Sequence, residues 1–126
     1  MNRLGLVVTA AAIAMLPATG HACMKDGENA EATGRLAIGS ARDAAGRPQR
    51  PYIVTLSSPA CLTATDPEDS VKNTRTVHIF STDEKVHATI AGLVGKAVRV
   101  RGTPFPAHTG HHHAPIVMDI TEINAQ

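Results

Sequence analysis

The chain has 126 residues, of which 43% are apolar and 2% aromatic, and its 12 basic and 11 acidic side chains give a formal net charge of +1. This length allows one small domain and not two. Nucleic-acid and anionic-membrane binders attract their partners with a strong positive field. The near-neutral balance therefore predicts no nucleic acid and no membrane surface as a partner, and the chain has no apolar run long enough for a transmembrane segment.

The first residues have the pattern of a secretory signal peptide. Arg3 supplies a short positive start, an uncharged run at 4–16 is too short to span a bilayer, and Pro17 is followed by small residues. The residues 20–22 fit a cleavage site, and a cut after Gly20 is the alternative. The sequence predicts a signal peptide at 1–22, a single domain at 23–126, and a periplasmic or secreted location.

The two cysteines, Cys23 and Cys61, allow two mutually exclusive interpretations. Cleavage before Cys23 would suit a lipoprotein, but such a signal needs an aliphatic residue where this chain has Gly20. In an oxidising compartment Cys23 would instead pair with Cys61, 38 positions away. Closing that loop would stabilise the fold by roughly 4 kcal/mol in the chain-entropy model. The disulfide is the favoured alternative.

The first three elements of the mature chain are predicted strands at 32–38, 52–56 and 75–80, where β-branched or apolar residues alternate with other residues. Residues 57–59 (Ser-Ser-Pro) should end the second strand. Residues 41–50 and 63–73 have no periodicity and are predicted loops. We expect His78 at the surface of the third strand.

A helix is predicted next. Ser81 and Glu84 have the spacing of a capping box, and Gly95 can end the helix in a left-handed conformation. Between them the apolar residues fall on one helical face: Val86, Ile90, Leu93 and Val94. Residue His87 is expected at the helix surface.

Two more alternating segments follow, at 96–102 and 116–120, and residues 103–115 connect them. Three strands, a helix and two strands form the order of the oligonucleotide/oligosaccharide-binding (OB) barrel, in which the helix plugs one end. The sequence therefore predicts a mostly β fold, a small five-stranded OB-like barrel with one helix between strands 3 and 4.

The last connection is rich in histidine. Four of the seven histidines lie within residues 108–113, at His108, His111, His112 and His113. In an extended run, His111 and His113 point to the same side and the turn at Gly110 could bring His108 to them. These three imidazoles are candidate ligands for zinc or copper. Alternatively, the imidazoles hydrogen-bond the loop's own backbone and pack against the barrel.

Residues 95–118 carry a more specific pattern, which reads Gly-Lys-x-Val-x-Val-x-Gly-Thr-x-Phe-x-Ala-His-Thr-Gly-His-His-His-x-Pro-Ile-Val-Met. This segment resembles the exported bacterial family known as domain of unknown function 4431. Upstream, the resemblance rests on Gly34-x-Leu36 and Pro59-x-Cys61, and it implies the same disulfide between Cys23 and Cys61. It implies no activity.

The residues give no indication of an enzyme. No Gly-x-Ser-x-Gly motif and no phosphate-binding glycine loop occurs, although His108, His111 and His113 could form a metal-dependent hydrolase as a remote alternative. In OB barrels the connection between strands 4 and 5 is one of the ligand-binding loops.

We therefore predict a monomeric binding module whose loop 103–115 holds a small ligand or a protein partner. Its ligand-binding residues are predicted to be Phe105, His108, His111, His112 and His113. Two alternatives are a periplasmic zinc- or copper-binding protein and an inhibitor or immunity-type protein that acts on another exported protein.

Overall fold

A closed five-stranded barrel with one helix forms the fold of this computed structural model, which describes Gly5 and residues 22–126. The predicted signal peptide therefore lies almost entirely outside the described residues. The strands and helices of the described part are β1 (Met24–Lys25), β2 (Ala30–Ile38), β3 (Ala41–Arg42), β4 (Pro48–Gln49), β5 (Tyr52–Thr63), a 3₁₀ turn (Pro67–Asp69), β6 (Val71–Phe80), α1 (Glu84–Gly92), β7 (Ala97–Pro106) and β8 (Ile116–Ala125).

The strand pairing confirms the predicted barrel. Strand β2 pairs antiparallel with both β5 and β7, β5 pairs antiparallel with β6, and β7 pairs antiparallel with β8. A parallel pairing of β6 with β8 closes the barrel. This connectivity, with α1 between β6 and β7, is that of the OB barrel.

The barrel core consists of the side chains that alternate inward along each strand. Fully buried members include Leu36, Val54, Ile79, Val100 and Met118. Helix α1 contributes Ile90, which is also fully buried. Each such side chain contributes about 1.5–3 kcal/mol through removal of its apolar surface from water. The period-2 pattern in the sequence therefore reflects the inner face of the barrel.

The disulfide between Cys23 and Cys61 is present, and their Cα atoms lie 4.7 Å apart. It holds the short strand β1 beside the end of β5, where Met24 and Leu62 are parallel partners. Of the two interpretations of Cys23, a lipid anchor or a disulfide, the structure contains the disulfide. This bond is consistent with an oxidising compartment.

Several strands are longer than the sequence pattern predicts. Residues 57–59 do not end the second strand, because β5 passes them through a bulge between Thr55 and Leu62 and continues to Thr63. Pairing with β2 has already ended at Leu56, so Pro59 does not interrupt that ladder. Strands β6, β7 and β8 also extend beyond their predicted bounds, and the predicted loop 41–50 contains the hairpin β3–β4.

The helix begins at a different cap from the predicted one. Asp83, not Ser81, is the N-cap, and its Oδ1 accepts from the amides of Lys85 and Val86 at 2.9 and 3.0 Å. The Ser81 hydroxyl instead donates to the Ile120 carbonyl at 2.7 Å, which ties the start of the helix to β8. Gly95, with φ +88°, lies beyond the last helical residue.

Gly102 gives a stability prediction, because a Cβ there would lie 2.6 Å from the Cα of Ile120 in the neighbouring strand. Gly102→Ala should lower the free energy of unfolding by about 3 kcal/mol, since the crowding is against backbone. Gly92→Ala is the matched control, because nothing lies within 4 Å of its added Cβ. That change in the helix should be neutral or stabilise by up to about 1 kcal/mol. Urea unfolding measures both, and equal stabilities would contradict the close approach of β7 and β8.

Candidate functional site

The histidine-rich connection is a short loop with a defined shape. Because β7 extends to Pro106, the loop is residues 107–115, which we call the histidine loop. Its base is closed by a hydrogen bond from the Ala107 amide to the Pro115 carbonyl at 3.1 Å. At its tip the His112 amide donates to the Thr109 carbonyl at 3.1 Å, and the His111 amide donates to the Thr109 hydroxyl at 3.2 Å.

The histidine loop folds back against the outer wall of the barrel. Four residues form a row across that wall, because Ile53 pairs with His78, His78 with Val117, and Val117 with Phe105. Val117 is fully buried, although it does not belong to the barrel core. We infer that the loop covers this outward-facing valine.

Two imidazoles hold the loop by accepting backbone hydrogen bonds. The Nδ1 atom of His78, on β6, accepts from the His113 amide at 3.2 Å. The Nδ1 atom of His112 accepts from the His108 amide at 3.1 Å. An imidazole nitrogen accepts only when it carries no hydrogen, so both rings are neutral and protonated at Nε2. The hydrogen bonds therefore exclude the charged form of both rings.

Around these bonds six rings form an aromatic cluster, consisting of Phe80, Phe105, His78, His108, His112 and His113. The His78 and His113 rings stack with centroids 5.7 Å apart, and the His108 ring packs edge-on against that of His112 at 4.6 Å. Phe105 lies beneath, with ring centroids 5.3 Å from His112 and 5.5 Å from His108. The cluster is thus a small core outside the barrel.

The environment of the cluster favours the neutral forms of His78 and His112. Burial, followed by the proximity of His113 and His112, lowers the pKa of His78 to about 4. Burial also lowers the pKa of His112, with smaller contributions from His108, His111 and His113. Both shifts agree with the hydrogen bonds, which only the neutral rings can accept.

At its tip the histidine loop contacts the β3–β4 hairpin. His111 Nδ1 lies 3.2 Å from Gln49 Oε1, and a Cβ on Gly110 would lie 3.2 Å from the Ala44 amide nitrogen. We call residues 41–50 the arginine hairpin, because they include Arg42, Arg47 and Arg50. The connections after β2 and after β7 therefore lie side by side.

The arginine hairpin is held together by Asp43. Its carboxylate accepts from the amides of Ala45 and Arg47, each at 2.9 Å, and pairs with Arg47 Nε at 2.8 Å. The backbone hydrogen bond from Arg47 is the largest cause that lowers the pKa of Asp43, and its side chain and nearby His111 also lower it. Asp43 is buried and fully engaged within the hairpin.

The predicted ligand-binding residues divide into two groups. His108 and His111 are exposed, whereas Phe105, His112 and His113 are half-buried in the aromatic cluster. His113 Nε2 is buried without a hydrogen-bond partner among the described residues. The loop thus presents two of its four imidazoles to solvent.

The three predicted metal ligands occupy different surroundings. His113 stacks on His78, His108 packs against His112, and His111 faces Gln49. Within residues 22–126 no three His, Cys, Asp or Glu side chains are grouped so that they could hold a metal ion. Zinc or copper binding by His108, His111 and His113 stays a prediction.

Two parts of the site were missed in the sequence. His78 lies half-buried beneath the loop and not free at the strand surface, and Gln49 belongs to a predicted loop far away in the chain. A signal for the first was present: residues 116–118 are three consecutive apolar residues in a strand. Such a run indicates that both faces of the strand are covered.

A separate groove of about 220 Å³ lies beside the disulfide. Its lining includes Met24, Ala32, Leu56, Pro59 and Cys61, and no residue of the histidine loop. Of the helices in the described part of the chain, none has the length and hydrophobicity that crossing a bilayer requires.

Comparison with known proteins confirms the family resemblance over part of the chain. The profile of the family described as Domain of unknown function (DUF4431) matches residues 76–124, which include β7, the histidine loop and all but the last residue of β8. No curated protein matches the sequence. Among solved structures, the small single-stranded DNA-binding protein from Streptomyces coelicolor is similar, with 18% identity and a TM-score of 0.45 over 79% of this chain and 94% of that chain.

The neutral state of His78 gives a pH prediction. Its folded pKa of about 4 lies below the ordinary histidine value of 6.5, so the unfolded chain binds more protons between these two pH values. Stability should be full above pH 6.5 and fall as the pH decreases toward 4. His78→Asn keeps a side-chain acceptor that does not titrate, and its thermal midpoint should therefore fall less between pH 7 and pH 5 than that of the wild type.

His87→Gln is the matched control, because His87 is an exposed histidine on α1 outside the cluster. It should keep the pH dependence of the wild type. Identical pH profiles for the wild type and His78→Asn would show that His78 is not held neutral by the loop.

Proposed function

We propose that this domain is an exported binding module that holds a protein partner on the surface formed by the histidine loop and the arginine hairpin. The observation that carries the proposal is the contact between His111 and Gln49 at 3.2 Å. It joins two connections of the barrel into one exposed surface. In OB barrels, the loop between strands 4 and 5 and the loop between strands 1 and 2 are the usual ligand-binding loops.

The proposed roles of the histidines follow from their exposure. His108 and His111 would contact the partner, because their rings reach solvent. His112, His113 and Phe105 would support them from below, since these three rings pack within the aromatic cluster. An exposed pair on a fixed base loses little conformational entropy when a partner binds.

Two further features support binding in an exported setting. The loop is ordered by its own hydrogen bonds and by those to β6, so the surface is formed before any partner arrives. The disulfide between Cys23 and Cys61 suits an oxidising compartment, in which the predicted signal peptide would place the chain. The proposed role is binding and not catalysis.

The test replaces the two exposed rings and leaves their support intact. The variant His108→Ala/His111→Ala keeps the backbone amide of residue 108, which donates a hydrogen bond to His112 Nδ1. Its melting temperature should therefore stay within about 2 °C of that of the wild type. Capture of a defined partner from an extract of exported proteins, measured by crosslinking from a photoreactive residue at the exposed position Ala107, should fall at least about tenfold.

His87→Ala is the control, because it removes an exposed histidine that lies on the helix. It should capture the partner as the wild type does. If the double variant and the wild type capture the same partner equally, the histidine loop is not the binding surface.

A further inference from the structure

The near-zero net charge hides an uneven distribution of charge. The arginine hairpin holds three arginines and one acid, Asp43, whose side chain is only 3% exposed. Asp43 is occupied by Arg47 and by the hairpin's own amides. The Asp43 carboxylate therefore balances the charge of one of the three guanidinium groups, and it is not exposed to solvent.

Arg42 and Arg50 differ in this respect from the arginines of the barrel wall. On the wall, Glu31 pairs with Arg99 Nε at 2.9 Å and with Arg101 Nη2 at 3.5 Å. Among residues 22–126 no ion pair involves Arg42 or Arg50, and both are exposed. Arg42 donates only to the Gly46 carbonyl of its own hairpin, at 2.8 Å. The hairpin arginines thus retain uncompensated positive charge.

One group of acidic residues lies at the other end of β5. That strand begins at Tyr52, next to the arginine hairpin, and ends at Thr63, before the connection that carries Asp66, Glu68 and Asp69. Twelve strand residues span at most about 40 Å when fully extended. The arginine hairpin is therefore a local basic surface separate from this acidic group, which the net charge does not reveal.

We propose that the surface of the histidine loop and the arginine hairpin recognises a carboxylate-rich segment of its protein partner. This inference rests on the proposed function and adds the chemistry of the partner. Arg42, Arg50 and the outward face of Arg47 offer guanidinium donors that match carboxylates in pairs, and His108 and His111 add imidazole donors beside them.

The same residues favour carboxylates over a phosphate polymer. Binding of single-stranded nucleic acid combines basic groups with exposed aromatic rings on which bases stack. The three aromatic residues of this region are half-buried: Tyr52 packs edge-on against His87 at a centroid distance of 6.2 Å, and Phe80 and Phe105 pack on one another at 6.1 Å. The arginine hairpin offers guanidinium groups that can bind a few anions at short range. It does not offer a long row of basic groups along which a phosphate backbone could lie.

The probe is a peptide of sixteen glutamate residues. Fluorescence anisotropy at low and at physiological salt measures its binding to the intact domain. The wild type should bind it, and Arg42→Gln/Arg50→Gln should weaken binding about five- to tenfold at low salt. Arg47 is left in place because it holds the buried Asp43. Lys72→Gln/Arg75→Gln is the matched control, since it removes the same charge from exposed positions on β6 and should leave binding unchanged.

Each other outcome overturns the inference. An equal loss in both double variants would indicate a diffuse charge effect, and tighter binding of polyphosphate or single-stranded DNA through Arg42 and Arg50 would assign a phosphate polymer. A molecular mass that doubles as the protein concentration rises, and that returns to the monomer value in Glu68→Gln/Asp69→Asn, would indicate a different partner. The arginine hairpin would then bind the acidic residues 66–69 of a second copy of this chain. Absence of peptide binding, with partner capture still dependent on His108 and His111, would reject the carboxylate chemistry while the proposed function stands.

Discussion

The arrangement of the site depends on two hydrogen bonds from backbone amides to imidazole Nδ1 atoms. The bond from His113 to His78 ties the histidine loop to β6, and the bond from His108 to His112 closes the loop on itself. Each requires a neutral ring, and burial supplies that condition because it disfavours the charged form. If either ring were charged, its Nδ1–H would face the backbone N–H that now donates to that nitrogen, and the hydrogen bond would be lost. The loop, the outer wall and the protonation state therefore depend on one another.

The division of roles among neighbouring histidines follows from this arrangement. A turn at Thr109 and Gly110 directs His111 toward the arginine hairpin, while His112 and His113 return toward the wall of the barrel. Residues that are adjacent in sequence thus belong to different environments, since His112 and His113 are half-buried and His111 is exposed. The four histidines of the loop therefore do not act as one group. Only the two exposed ones, His108 and His111, are available to a partner.

The sequence predicted the barrel well, because a period of two directly reports the inner face of each strand, as at Val98 and Val100. The apolar spacing predicted the helix, but the predicted N-cap was wrong. The Ser81 hydroxyl donates to the Ile120 carbonyl, and Asp83 is the N-cap. The contacts of the histidine loop with β6 and with the arginine hairpin could not be predicted, because they join residues 35 and 62 positions apart. Local pattern gives the period of an element and not its neighbours. The continuation of β5 past Pro59 was missed for the same reason, since only the end of pairing at Leu56 makes the proline harmless.

The net charge of the whole chain does not describe how the charge is distributed over its surface. A sum of +1 limits the field at long range, where opposite charges cancel, but recognition occurs within about one Debye length, roughly 8–10 Å at physiological salt. At that distance a partner that contacts Arg42 and Arg50 is screened from Asp66 and Glu68 at the other end of β5. Pairing on the barrel wall sharpens this contrast, because Glu31 pairs with both Arg99 and Arg101 and offsets one of their two charges, whereas no carboxylate pairs with Arg42 or Arg50 in the described residues. Specificity for an anionic partner can therefore coexist with a neutral composition, at the cost of weak electrostatic steering from a distance.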